Sequence, residues 1–147
     1  MVPVIRLAID DVAVEIRLWP NLAPKTVAAL LGSLPVDTTM RHCKWSGDAC
    51  FAELDSGPIM SITKLESAVT SIYPGTLVIR PKNTVVPTAE LLLSYGDAEY
   101  RWPTDRMSVT PVGDAQGDTT SLFAVMAKMA TAGHTRVRVT RSEAAAL

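Results

Sequence analysis

One short run of polar and aromatic residues holds most of the reactive groups in this chain. The run Arg41–Asp48 reads Arg-His-Cys-Lys-Trp-Ser-Gly-Asp and lies between apolar, strand-like flanks. A guanidinium at Arg41 can grip a carboxylate with two parallel hydrogen bonds or polarise an amide. His42 can act as acid, base or donor near neutral pH, and Trp45 offers a flat apolar wall. With the hydroxyl of Ser46, these groups predict a site for a small carboxylate, an amide or a short peptide segment.

Two residues farther along the chain are candidates for the facing wall of that site. Glu66 precedes a strand-like stretch, and we place it at a pocket rim, the alternative being a solvated loop carboxylate. Tyr95 shares a face with the leucines before it, so we expect its ring at a barrel end and its hydroxyl in polar surroundings. The alternatives for His42 and Trp45 are a backbone-bonded strand histidine and a core tryptophan.

The spacing of these groups argues against nucleophilic catalysis and metal binding. Four residues along a strand separate His42 from Ser46 by about 13 Å, too far for a base to reach a nucleophile without a sharp bend. The sequence has no His-x-x-x-His or Cys-x-x-Cys pair, no glycine-rich phosphate loop and no Gly-x-Ser-x-Gly elbow. Nothing in the spacing of His42, Asp48 and Glu66 favours a metal site, so we expect no metal and no cofactor.

Composition argues against several classes of partner. The chain has 147 residues, a net charge of -1 and 48% hydrophobic residues, which fit one domain over residues 1–147 and give no field to attract nucleic acid. No apolar stretch approaches the ~20 residues of a membrane span, and Met1–Val4 lacks the basic start of a signal peptide. We therefore expect a cytoplasmic protein without membrane contact. Cys43 and Cys50 are expected to be small core residues rather than a disulfide or a reactive thiol.

The elements that must position this run begin with a hairpin and a helix. Apolar residues alternate over Ile5–Ile9 and again over Val12–Leu18, which predicts two paired strands. A helix is predicted over residues 22–33, because Asn21 can cap it and Pro24 is tolerated in its first turn. Its apolar stripe is expected to cover an open barrel end.

Further short strands are predicted after the helix. They lie at Thr38–Trp45, Ala49–Leu54, Ile59–Thr63, Thr76–Arg80, Glu90–Tyr95, Ser121–Ala127 and Arg136–Arg141. The stretch Asp97–Thr120 is rich in turn formers and predicts a flexible loop, and Ser142–Leu147 predicts a frayed end or a docked turn of helix. Eight or nine strands without strand–helix alternation predict a mainly β fold, a closed antiparallel barrel with one capping helix.

The order of several motifs resembles the cyclophilins. The hairpin followed by Leu18–Leu30, with a Pro-Lys-Thr at the start of the helix, is similar to the opening of that family. Three later motifs, Trp45–Phe51, Tyr73–Gly75 and Tyr95–Gly96, resemble small bacterial cyclophilin-like proteins of unassigned function. The resemblance covers residues Ile5–Met129 and implies a cyclophilin-like β-barrel.

For activity, the resemblance implies less. Prolyl isomerases of the cyclophilin family hold their substrate with a Phe-His-Arg strand start, a Phe-Met and a Gln, followed by a later Trp and His. This chain has Met40–His42 near the first position, but it lacks the Phe-Met-x-Gln pattern and the Gly-Gly-Asp. Arg41 could still take the role of the arginine that polarises the prolyl amide.

Three functions from different classes remain open at this point. The first is binding of a small carboxylate or amide, or of a short peptide segment, at a polar pocket formed by Arg41, His42, Trp45, Ser46, Glu66 and Tyr95. The second is an enzyme, either a prolyl isomerase polarising at Arg41 or an acid–base catalyst at His42. The third is a subunit-interaction protein or homo-oligomer whose loop Tyr100–Pro103 contacts a partner.

Overall fold

The computed structural model describes residues 2–142, and strands form most of its regular structure. Within that range we number nine strands and two α-helices in chain order: β1 Val4–Ile9, β2 Val12–Leu18, α1 Pro24–Ser33, β3 Val36–His42, β4 Gly47–Leu54, β5 Ser71–Ile72, β6 Thr76–Arg80, β7 Ala89–Glu99, β8 Thr110–Ala115, α2 Thr120–Ala132 and β9 Thr135–Arg141. A 3₁₀ helix, Pro58–Ser61, follows β4. The predicted frayed end beyond Ser142 lies outside the described residues.

Eight of the strands between residues 2 and 142 close into an antiparallel barrel. Hydrogen bonding runs in the order β4-β3-β9-β1-β2-β8-β6-β7, and β7 pairs back onto β4, placing Phe51 opposite Leu92. The two-residue β5 pairs with the outer end of β7. Closure leaves no long strand edge for another chain to pair with. The predicted fold class, a mainly β closed antiparallel barrel, is confirmed.

The alternation of side chains along the first hairpin builds the barrel core. In β1 the side chains of Ile5, Leu7 and Ile9 are fully buried, while Arg6 between them is exposed. The pairing of β1 with β2 sets Leu7 opposite Val14, so the buried faces of the two strands coincide. The predicted hairpin is confirmed.

A helix covers each end of the barrel. α1 buries Leu30 in the main core together with Leu54 from the end of β4. α2 lies at the opposite end, where the thiol of Cys50, near the start of β4, lies 3.6 Å from the Met126 carbonyl oxygen. The predicted capping helix over residues 22–33 is confirmed in α1, but the prediction of only one helix is wrong.

α2 replaces the strand predicted at Ser121–Ala127. The buried residues of α2 are Leu122, Met126 and Met129, and their spacing of four and three residues is helical. Because Ala124 lies midway between Leu122 and Met126, the same residues also mimic an alternating strand. Packing of the helical stripe against the barrel end stabilises the helix instead.

Three further sequence-based boundaries are wrong. The predicted strand Ile59–Thr63 lies mostly in the 3₁₀ helix, which starts at a proline that cannot donate to a strand ladder. The predicted loop Asp97–Thr120 contains the end of β7 and all of β8. Asn21 does not cap α1, because the residue at the N-cap position is Ala23.

A second apolar cluster lies on the outside of the barrel wall. Val78 of β6 and Leu92 of β7 face outward and are buried in it. The chain after the bend in β7 folds back over these residues and adds Tyr100 and Met107 to the cluster. We call residues 97–109 the covering segment, since it turns part of an outer barrel surface into an interior.

Candidate functional site

The run Arg41–Asp48 forms a turn between two strands. β3 ends at His42 and β4 begins at Gly47, whose φ of 86° favours glycine. Trp45 in this turn is 54% exposed. Arg41 is exposed as well, and its side chain has no hydrogen bond or salt bridge to any residue in the described range. The prediction that one rigid strand holds these groups is therefore wrong, because the chain reverses direction in the middle of the run.

His42 and Tyr95 are brought together at the barrel end that α2 covers. His42 Nε2 lies 2.7 Å from the Tyr95 hydroxyl oxygen, and His42 Nδ1 lies 2.7 Å from the Cys43 carbonyl oxygen. Since a carbonyl can only accept, Nδ1 donates to it, and in the tautomer with one ring hydrogen Nε2 accepts the Tyr95 hydroxyl hydrogen. Burial, followed by the nearby Asp48 carboxylate, raises the pKa of Tyr95. The hydroxyl therefore stays protonated at neutral pH and ties the two rings together.

Glu66 lies elsewhere, at the start of α1. One carboxylate oxygen accepts hydrogen bonds from the Thr26 amide at 2.7 Å and the Thr26 hydroxyl at 2.6 Å, and the other accepts one from the Lys25 amide at 3.2 Å. First-turn amides have no partner within a helix and attract negative charge. Burial by itself raises the pKa of Glu66, but these hydrogen bonds outweigh it and lower the pKa overall. Glu66 thus caps α1, at the barrel end opposite to His42.

Ser46 is buried and bonded to the covering segment. Its hydroxyl accepts a hydrogen bond from the Arg101 amide at 3.2 Å, and its carbonyl oxygen accepts one from the Glu99 amide at 3.1 Å. The two thiols nearby are poor nucleophiles, because burial raises the pKa of Cys43 and of Cys50 to about 12. These contacts fit a structural role for all three residues.

The aromatic loop Tyr100–Pro103 packs onto the barrel. Tyr100 is fully buried in the second apolar cluster. Trp102 is half-buried, and the Arg80 guanidinium carbon lies 5.8 Å from its ring centre. The expectation of exposed aromatics for a subunit contact is wrong for Tyr100, because its own chain encloses the ring.

A large groove opens on the outer wall of the barrel. Its volume is about 880 Å³, and its walls come from the chain after β2, from β5 and the start of β6, and from the outer part of β7. The residues that give it its character are Trp19, Leu22, Ile72, Tyr73, Asp97 and Glu99. None of the six ligand-binding residues predicted from the sequence lines it.

The groove combines a mostly apolar lining with two carboxylates and no basic side chain. Glu99 is paired with Arg106, whose Nε lies 2.6 Å from its Oε1. Asp97 is exposed, and its side chain has no partner among residues 2–142. At the rim, the Tyr73 ring is 86% exposed. Chemically, this surface can hold a flat apolar body and a positive charge.

The sequence contains only weak signals for this groove. Trp19 and Tyr73 each precede a proline next to a strand, so both aromatic rings are held at strand ends. The walls come from residues 19–22, 69–76 and 97–111, which only the folded barrel brings together. Taken locally, these stretches resemble a strand end, a turn and a loop, so the sequence of none of them indicates a site.

The described part of the chain offers neither a metal centre nor a membrane-spanning helix. Within residues 2–142, no group of three or more His, Cys, Asp or Glu side chains is placed to hold a metal ion. No helix in the same range is long and apolar enough to cross a membrane.

These features define a class of protein: a closed eight-stranded antiparallel barrel with two covering helices and an open groove on its outer wall. Residues 5–87 match the model of a family described as proteins of unknown function, DUF3830. The chain belongs to that family. No curated protein matches the chain.

Two solved structures share the fold. The solution structure of the hypothetical protein AF2241 from Archaeoglobus fulgidus is similar with a TM-score of 0.64 and 19% identity, over 96% of this chain and 95% of that chain. A structure of McbB in complex with tryptophan is similar with a TM-score of 0.72 and 20% identity, over 95% of this chain and 45% of that chain. At such low identity, the similarity establishes the fold alone.

Proposed function

We propose that the protein binds a small molecule in the outer groove, and that this ligand combines a flat apolar body with a positively charged amine. The observation that carries the proposal is the composition of the groove, about 880 Å³ of mostly apolar surface whose charged groups are all carboxylates. Clefts of roughly 300–1,000 Å³ are typical of small-molecule sites.

The apolar body of the ligand follows from the rings and prolines of the walls. Trp19 and Tyr73 offer aromatic faces, which favour flat partners through offset stacking and buried area. Pro74 and Pro111 also line the groove and have no backbone N–H, so the walls near them present no donor that needs water. A flat ring system can therefore replace water there at little cost in lost hydrogen bonds.

The positive charge follows from Asp97. Its carboxylate is exposed beside the apolar wall and forms no salt bridge within the described residues, whereas Arg106 already pairs with Glu99. The backbone of Asp97 is packed tightly, because a Cβ at position 47 would come within 2.5 Å of the Asp97 carbonyl oxygen. A ligand amine can thus pair with a carboxylate on a well-fixed strand, an arrangement that favours a charge-assisted hydrogen bond.

Two similarities support the same class of function. McbB, whose barrel is similar, has a structure in complex with tryptophan, an aromatic molecule that carries an amine. This supports an amine-bearing aromatic ligand as the class to test, although this chain covers 45% of McbB and 20% identity transfers no binding position. The motif order at Leu18–Leu30 adds the finer proposal that the barrel is cyclophilin-like.

Acid–base chemistry is a second candidate, and the observation that favours it is the 2.7 Å hydrogen bond between His42 Nε2 and the Tyr95 hydroxyl. The same bond occupies the lone pair that a base needs, so we rank it below groove binding. Anion binding at Arg41, prolyl isomerase activity, a peptide ligand and a homo-oligomer also stay predictions, as does a cytoplasmic location.

The proposal is tested by calorimetric titration with two indoles that differ in charge, tryptamine and indole-3-propionate. We expect tryptamine to bind at least about tenfold more tightly, which corresponds to about 1.4 kcal/mol. Asp97→Asn should abolish most of this preference. The matched control is Asp11→Asn, an exposed carboxylate in the β1–β2 turn, and it should leave the preference intact.

Equal affinity for the two indoles would contradict the proposal. A preference for tryptamine that persists in Asp97→Asn would also contradict it, because the ligand amine would then pair with a group other than Asp97. Failure of tryptamine to saturate the protein would also contradict it.

A further inference from the structure

A small basic pocket lies at the end of β6, next to the covering segment. Its volume is about 250 Å³, and its cations are Arg80, Lys82 and Arg106. Among residues 2–142, no carboxylate lines it. None of its residues is part of the groove or of the predicted Arg41 site, so it has a chemistry of its own.

Arg80 anchors the pocket in a fixed position. Its side chain is only 3% exposed, and its Nε donates to Glu90 Oε1 at 3.1 Å. Its two terminal nitrogens donate to the carbonyl oxygens of Pro81 at 2.9 Å and Thr88 at 3.0 Å. A guanidinium has five N–H groups, so these three bonds leave one hydrogen on each terminal nitrogen without a hydrogen bond in the described structure. Arg80 is therefore a rigid cation with spare donors.

The charges around the pocket leave one cation without a counter-charge. Glu90 balances Arg80, and Glu99 balances Arg106. Lys82 is half-exposed, and its ammonium has no hydrogen bond or salt bridge within residues 2–142. An anion in the pocket would supply the counter-charge that this lysine lacks.

Neutral donors surround the same space. Trp102 and Ser108 also line the pocket, and neither the Trp102 indole N–H nor the Ser108 hydroxyl has a hydrogen-bond partner in the described part of the chain. Asn83 accepts hydrogen bonds from the Val85 and Val86 amides with its side-chain oxygen, and its NH₂ group has no partner among residues 2–142. These donors come from two separate stretches of chain, residues 80–83 and 102–108, so they approach a ligand from different sides.

We propose that this pocket binds the phosphate group of a small anion, either free phosphate or a phosphate monoester. Phosphate presents acceptor oxygens in more than one plane, which suits donors that lie on several sides better than a flat carboxylate does. A neighbouring cavity of about 390 Å³ shares Thr63, Lys82 and Asn83 with the pocket and gives room for the organic part of an ester.

The test follows the Trp102 indole N–H signal by ¹H–¹⁵N NMR during titration with inorganic phosphate, at constant ionic strength set with chloride. Trp102→Phe assigns the signal among the three tryptophans. We expect a saturable shift. Lys82→Gln should weaken binding at least about tenfold, whereas Lys128→Gln, an equal charge change on exposed α2 surface, should change it less than about twofold.

Two further titrations define the chemical class of the ligand. Acetate should bind at least about tenfold more weakly than phosphate, and glycerol 3-phosphate should bind at least as tightly as phosphate. Ser108→Ala removes one neutral donor without changing charge, so it should weaken phosphate binding by a smaller factor and serves as a second variant if Lys82→Gln disturbs the fold.

Any of four results would overturn the proposal. These are a phosphate titration without saturation, an equal shift on adding chloride alone, equal effects of Lys82→Gln and Lys128→Gln, and acetate binding as tight as phosphate binding.

Discussion

The groove and the basic pocket both use residues of the covering segment but differ in charge. The covering segment supplies Asp97 and Glu99 to the groove, and Trp102, Arg106 and Ser108 to the pocket. As far as residues 2–142 form the two linings, the groove has carboxylates and no cation, whereas the pocket has cations and no carboxylate. The net charge of -1 gives no indication that acidic and basic groups are separated in this way. A nearly neutral chain can therefore still present two local fields of opposite sign.

The two regions also differ in how firmly their charges are held. The Glu99–Arg106 pair joins the groove to the pocket, but its side chains are 40% and 67% exposed, so water screens it. The Arg80–Glu90 pair beneath the pocket is only 3% and 18% exposed. The pocket thus rests on a buried ion pair, while the groove depends on a single free carboxylate, Asp97.

The largest expected effect comes from the buried pair. Arg80→Met should cost about 3–5 kcal/mol of unfolding free energy, because it leaves Glu90 partly buried without its counter-charge. Urea denaturation followed by circular dichroism measures this loss. Adding Glu90→Leu should restore much of it, since the two residues lie opposite each other in the β6–β7 ladder.

A loss below about 1 kcal/mol for Arg80→Met, the range of exposed pairs, would show that the pocket has no rigid base. The pocket and the groove would then not differ in how firmly their charges are held. The matched variant for the groove is Asp97→Asn, which should leave stability within about 0.5 kcal/mol.

Loss of the α1 cap should lower the unfolding free energy by less than loss of Arg80, and it should affect binding in the groove but not in the pocket. Glu66→Gln removes the charged cap and should cost about 1–2 kcal/mol at pH 7. It should also weaken tryptamine binding, because the adjacent Ser67 hydroxyl holds the carbonyl of Leu22, a groove residue, at 2.7 Å. Phosphate binding should not change. Glu53→Gln, an exposed carboxylate on β4, is the control.

The pH dependence of this loss follows from the lowered pKa of Glu66. A carboxylate whose pKa is lower in the folded state stabilises the fold above its unfolded pKa, close to 4.5, and stops doing so as the pH falls through the folded value. The stability difference between wild type and Glu66→Gln should therefore be constant near neutral pH and shrink in acid. A difference that grows in acid would contradict the capping role.

At the groove rim, Tyr73→Ala should weaken tryptamine binding about tenfold, close to 1.4 kcal/mol, and leave the urea midpoint unchanged. The ring is 86% exposed, so its removal creates no cavity. Trp45→Ala removes another exposed aromatic, 54% exposed and outside the groove, and serves as the control. If Trp45→Ala weakened binding and Tyr73→Ala did not, the ligand would lie at the β3–β4 turn.

The smallest expected effect is at Arg41. Because its side chain is exposed and has no hydrogen bond or salt bridge to the described residues, Arg41→Ala should change stability by less than about 0.5 kcal/mol and affinity for either probe by less than about twofold. A tenfold loss for phosphate would favour the anion site expected from the sequence. Proline-limited refolding should show no efficient prolyl isomerase activity. Turnover abolished by Arg41→Ala would establish the isomerase alternative.

The sequence could predict the barrel because its signals are local. Alternation over Ile5–Leu18 and the apolar stripe of α1 each lie within one element, so both could be identified without a structure. β8 could not, since Thr110–Ala115 contains a proline, a glycine and an aspartate, which are rare in strands. Its pairing with β2 and β6 overrides that local preference.

The sequence predicted Tyr95 on the wall facing the Arg41–Asp48 run, but it indicated neither of the two cavities. His42 and Tyr95 do meet, because both face inward near the same barrel end. Glu66 is an isolated carboxylate, which suggested a binding site, but it caps the first turn of α1 instead. The groove and the basic pocket depend on how the covering segment folds back over the barrel wall. The sequence carries no periodic pattern or motif that indicates such long-range packing.

The most direct test of this account is a cross-titration of wild type, Asp97→Asn and Lys82→Gln with tryptamine and with inorganic phosphate. The account predicts that Asp97→Asn weakens tryptamine binding at least about tenfold and spares phosphate, and that Lys82→Gln does the reverse. Two results would contradict the claim that this barrel carries two sites of opposite charge. In one, both variants affect both compounds equally. In the other, neither substitution changes the affinity for either compound.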